Sequence, residues 1–168
     1  MKLLKLLSER KSSLTDRWLK RLFESYPPET AIFLKKEQDH FDNPVGYRIA
    51  EGIKGLVAAL LTEMDRDQVQ ASLDEIIRIR AIQDFSPAQA LAFIFLLKNV
   101  IREELAAELK DGHFAQELQE LESRIDGLAL LGMDVYTQRR EKLNEIRVNE
   151  IKARVSGLMR RTGLTLDG

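Results

Sequence analysis

Leu73–Leu105 reads LDEIIRIRAIQDFSPAQALAFIFLLKNVIREEL, and this stretch decides the fold class. Leu73, Ile76 and Ile77 recur at helical spacing up to Asp84-Phe85-Ser86-Pro87, where the pattern breaks. A serine side chain can cap the free amides of a helix and proline suits its first position, so a second helix starts at Ser86-Pro87. Its segment LAFIFLL is apolar all round, which predicts the most buried helix of the molecule. At about 100° per residue, Arg80 falls near the centre of the Leu73, Ile76 and Ile77 face, whereas Arg78 points away. A buried guanidinium needs a partner. Two roles are open to it. One is an internal pair, with Asp84 one turn later or with a Glu of another helix. The other is contact with an anionic or carboxylate ligand.

The helical pattern extends in both directions. Leu3, Leu4, Leu6, Leu7, Leu14, Trp18, Leu22 and Phe23 predict helix over 2–25, bent near Ser12-Ser13 and ended by Pro27-Pro28. Residues 28–36 predict a short helix, and Gln38–Asn43 a loop. Asn43-Pro44 opens the next helix, which runs to about Leu61, and Gly46, Gly52 and Gly55 mark it for close approach by a neighbour. Asp65 or Asp67 caps the helix leading to about Gln83. The helix after Pro87 is expected to reach about Lys110. From His113 helical pattern continues almost to Gly163, too long for an ordinary globular helix, so Gly127 or Gly132 kinks it or its end projects. No alternating strand pattern, internal repeat or low-complexity tract appears. The expected fold is all-α, with about five main helices around a central pair, Asp67–Gln83 and Pro87–Lys110. Expected core residues are Trp18, Leu22, Ile53, Leu56, Ile76, Ile77, Leu91, Phe93, Ile94, Leu97, Ile101, Leu118 and Ile125. Residues 1–132 form a helical domain; 133–168 are a C-terminal helical extension, either part of that domain or a dimer seam.

Composition narrows the chemistry. The chain has 168 residues, 44% hydrophobic and 32% charged, with a formal charge of −1 and no cysteine. Disulfides, thiolate metal sites and a cysteine nucleophile are excluded. A reducing cytoplasm is the expected location. MKLLKLLSERK starts like a signal peptide, but Lys5 interrupts the apolar run and no small-residue cleavage site follows. Ala90–Leu97 is the longest apolar run, well short of the roughly 18 residues that span a bilayer. Phosphate-binding glycine loops, HExxH, EF-hand and GxSxG patterns are missing, so no metal, cofactor or catalytic residue is expected. His40, in a polar stretch, and His113, beside Asp111-Gly112, are the only histidines; neither lies in a strongly apolar helix as a haem ligand would.

Charge is uneven. The first 21 residues and Arg139–Arg161 are net basic, and Glu103–Asp126 is net acidic. Aromatics do not interleave with the basic residues as on nucleic-acid platforms, so no nucleic-acid partner is expected. The leucines of Met1–Lys11 can dock into the core or lie on a membrane surface, and docking is the expectation. The last helix presents Leu143, Ile146, Ile151, Val155 and Leu158 as a candidate dimer seam, interrupted by Arg139, Arg147 and Glu150.

Trp18 followed by Tyr26-Pro27, the Asn43-Pro44 start, and above all IIRIRAIQDFSPAQALAF (Ile76–Phe93) resemble the N-terminal domain of RsbRD-type RsbT co-antagonist proteins. The resemblance covers most of the chain and is weakest at its C-terminal end. It implies a helical sensory or regulatory input domain, similar to a globin fold that lacks haem, which dimerises and passes a signal through a long terminal helix. The sequence stops at Gly168 with no STAS or kinase output domain after it, so a stand-alone module acting on a protein partner is expected. The alternative is a helical domain that binds a small anionic or apolar ligand, with Arg80 reading an anionic group in an otherwise apolar pocket, and after it a haem or cofactor carrier.

Overall fold

A computed structural model describes residues 1–36 and 41–163. Among the described residues there are seven helices and no strand: α1 (Lys2–Glu9), α2 (Lys11–Glu24), α3 (Pro28–Lys36), α4 (Pro44–Leu61), α5 (Arg66–Ile82), α6 (Pro87–Glu104) and α7 (Ala115–Arg161). The all-α expectation holds. His40 and the first half of the expected 38–43 loop lie outside the described residues.

The starts follow from their caps. The Asn43 side chain accepts from the Gly46 amide at 2.9 Å, and Asp65, not Asp67, accepts at the head of α5. Ser86 and Gln89 satisfy each other's backbone amides in a reciprocal capping box, with Pro87 at the first turn. Two boundaries differ from expectation. The first long helix breaks at Arg10 rather than at Ser12-Ser13. The helix from Pro87 ends at Glu104, a turn and a half short of Lys110. One side chain joins both changes: Arg10 donates to the Glu104 carbonyl at 2.5 Å and pairs with Glu108, capping the end of α6. Past the break, α1 turns its leucines inward, and Leu3 and Leu7 are fully buried.

All the expected core residues are buried. The expected central pair is not a pair, however. α5 packs along α4 on one side and α7 on the other; α6 packs against α7 and α2, and α5 meets α6 only lightly. The helix at the centre is the first half of α7, which lies against both. The reason is the glycine face of α4. A Cβ on Gly52 would stand 2.6 Å from Ile76 Cγ1 and 2.9 Å from the Ser72 carbonyl oxygen, so α4 approaches α5 more closely than any larger residue permits. Trp18 fixes α2 to α6: its indole N–H donates to the Phe93 carbonyl at 2.7 Å and its ring stacks on Phe93.

The basic N-terminal segment and the acidic Glu103–Asp126 stretch meet within the chain. Arg10, Arg17 and Arg21 pair with Glu108, Glu104 and Glu103, and Lys98 and Arg102 pair with Asp126 and Glu122. α7 passes Gly127 and Gly132 unbroken. Val135 and Tyr136 are its last buried residues and Leu143 still packs on the core; beyond it the helix is exposed almost throughout as far as Arg161. At about 1.5 Å per residue this projection is some 25 Å long.

Candidate functional site

The turn between α5 and α6 gathers more polar ties than any other connection described. Its backbone is a helix-ending motif in which the Asp84 amide donates to Ala81 O (3.2 Å) and the Phe85 amide to Arg80 O (3.2 Å). Asp84 takes φ +58°, the left-handed conformation that this motif requires at that position. Asp is among the side-chain-bearing residues that tolerate it best.

Arg80 sits on the inner side of the turn, 1% exposed. The expected Arg80–Asp84 pair does not form, and no carboxylate among the described residues pairs with Arg80. The guanidinium donates instead to the Gln89 carbonyl at 2.8 Å and to Ser25 Oγ at 3.1 Å. Its carbon lies over the rings of Tyr26 (5.1 Å), Phe85 (5.1 Å) and Phe93 (5.5 Å). Three aromatic faces thus take the place of a counter-ion. Nε, buried, has no hydrogen-bond partner among the described residues. Burial pushes the Arg80 pKa down and the nearby Tyr26 pKa up. Arginine keeps its charge under such conditions, so Arg80 is a caged cation tying α2, α5 and α6 together. Tyr26 closes the cage by donating to Gln83 Oε1 at 3.0 Å.

Asp84 faces outward. Its Oδ1 accepts from Arg140 (3.1 Å) and Arg147 (3.3 Å), both on α7, and these two hydrogen bonds hold its carboxyl below the usual range. Arg140 also reaches Ala81 O, and Tyr136 Oη donates to Phe85 O at 2.5 Å. The turn is therefore stitched to α7 at the point where that helix leaves the body. Further along α5, Asp74 holds Arg139 in a two-point ion pair.

The candidate seam divides over two faces. Leu143 and Ile146 line a small groove with Arg78, Ile82, Arg139 and Lys142, beside the body. Ile151, Val155 and Leu158 point into solvent on the other face, together with Val148, which the sequence reading missed. His113 is exposed in the turn before α7. The aromatic cage was also missed, because Tyr26 is 54 positions from Arg80 in the chain.

These features define an all-helical body built around hydrogen-bonded turns and a projecting helix. The sequence places it further: the family model for the RsbT co-antagonist protein rsbRD N-terminal domain matches residues 12–151. The chain belongs to that family, and as such is a regulatory, signalling-associated domain. No curated protein and no solved structure matches it. Among the described residues no helix is long and apolar enough to cross a membrane.

Proposed function

We propose that the chain is a non-enzymatic regulatory module of the cytoplasm that forms homodimers and uses α7 to engage a protein partner. The observation behind this is the behaviour of α7: one continuous helix is core as far as Leu143 and then presents exposed Val148, Ile151, Val155 and Leu158. A regular apolar stripe on a projecting helix is a surface to be covered by another chain. For self-association the body offers Leu130 (73% exposed) and Met133 on α7 and Phe95 on α6. The two helices pack together where Gly132 faces Leu91 and Ile94.

A two-state mechanism follows from the turn. Arg80 fixes its inner side to α2 and α6, while Asp84 and Phe85 O fix its outer side to α7. A signal that shifts α2 or α6 relative to α5 changes where the projecting helix is held. Light scattering on the full chain tests the dimer: a dimer that becomes a monomer on Leu130→Glu is the expected result. A native chain that stays monomeric at high micromolar concentration removes self-association from the proposal.

A further inference from the structure

α7 carries a second periodicity beside its apolar stripe. Arg140, Arg147, Arg154 and Arg161 recur every seven residues. Residues seven apart fall in nearly one column of an α-helix, drifting only about 20° per step. Each of Arg147 and Arg154 immediately precedes a valine of the stripe, so the column forms one flank of Val148, Ile151, Val155 and Leu158. In coiled-coil terms the valines and the Ile/Leu pair take the two seam positions and the arginines a flanking position that chooses the partner.

The first step of this column shows what it accepts. Asp84 Oδ1 bridges Arg140 and Arg147 at 3.1 and 3.3 Å. Arg154 and Arg161 repeat the geometry farther along, and neither has an ion pair among the described residues. Between Arg147 and Arg161 the only acid is Glu150.

A second copy fits this surface poorly. Antiparallel pairing sets the arginine column against itself, and parallel pairing sets Arg147 of one copy against Lys152 of the other. Like charges facing each other across an interface select against that pairing.

We propose that the projecting end of α7 is a docking helix for a different protein: an amphipathic helix with an apolar seam flanked by Asp or Glu, one of whose carboxylates bridges Arg154 and Arg161 as Asp84 bridges Arg140 and Arg147. The proposal rests on the reading of α7 as the partner-binding element and names the partner's chemistry.

The test uses the full chain and a labelled synthetic amphipathic peptide with Val and Leu at its seam positions and Glu on both flanks, read by fluorescence anisotropy. A Lys-flanked version of the peptide is the control. The native chain is expected to bind the Glu peptide and ignore the Lys peptide, with affinity falling as salt rises. Arg154→Glu with Arg161→Glu is expected to weaken the Glu peptide at least about tenfold and to confer binding of the Lys peptide. Both side chains are exposed beyond the body, so the thermal melt of the double variant should match the native one. No binding of the Glu peptide overturns the proposal, as does equal binding of both peptides. Preference for phosphatidylglycerol vesicles over the Glu peptide assigns the stripe to a membrane instead. Loss of a native dimer on Ile151→Glu assigns it to a second copy. A chain that is dimeric through Leu130 but ignores the Glu peptide loses this inference alone and leaves the regulatory reading standing.

Discussion

The two halves of α7 share one backbone and one helical period and have opposite fates. In the body, Leu118, Leu121, Ile125, Leu128 and Val135 step along one side and are buried where α1, α5 and α6 pack on α7. In the projection, Val148, Ile151, Val155 and Leu158 step just as regularly and are exposed. An apolar stripe thus specifies a helix and a face but not what covers the face. That is set by whether other helices reach it, and here they end near the α5–α6 turn.

The largest expected contrast comes from truncating apolar residues in the two regions. Trp18→Ala, which removes the stacking on Phe93 and the indole hydrogen bond, should cost about 3–5 kcal/mol of unfolding free energy. Leu121→Ala should cost about 2–5 kcal/mol. Ile151→Ala should fall within about 0.5 kcal/mol, as surface substitutions do. Denaturant titration of the three variants at low protein concentration checks this, and a large loss at Ile151 would mean that the tail packs on the body.

Next in size is the cage. Arg80→Ala deletes a buried side chain and its contacts with three rings and should cost about 2–4 kcal/mol. Arg80→Met fills the space without a charge to desolvate and should recover more than half of that loss. If Met is as damaging as Ala, the hydrogen bonds to Gln89 O and Ser25 Oγ outweigh the packing. Gly52→Ala tests the close approach of α4 to α5: its added Cβ meets Ile76 and the Ser72 carbonyl, and overpacking of this kind costs about 1–3 kcal/mol.

The smallest effect lies where body and projection meet. Asp84→Asn keeps a residue that tolerates the left-handed backbone and removes the charge that Arg140 and Arg147 share. Because the native carboxyl is held below its usual range, its tie to α7 is complete above that range and is lost as pH falls through its lowered value. The melting temperature of Asp84→Asn should therefore lie slightly below native at neutral pH and converge with it in acid. A gap that persists in acid would make the role of Asp84 conformational.

Much of this was legible in the sequence because it is local. Caps at Asn43 and Ser86, the break before Pro87 and the burial of Arg80 follow from residues within a turn or two of one another. The partners of Arg80 were not legible, since Ser25 and Tyr26 follow the end of α2 and Phe93 lies on α6. Pairing Arg80 with Asp84 fails for a specific reason: the left-handed backbone at Asp84 turns its side chain out to α7. The arginine column was present in the sequence at seven-residue spacing. Setting the seam register on Leu143, which packs on the core, and on Ile146, which is exposed along a groove on another face, concealed it and left out Val148.

Amide hydrogen exchange along α7 in dilute solution tests the division most directly. Slow exchange from about Leu118 to Leu143, giving way to fast exchange beyond Val148, is the predicted profile. Uniformly slow exchange to Arg161 in a chain shown to be monomeric would contradict it, because the tail would then be packed against its own body.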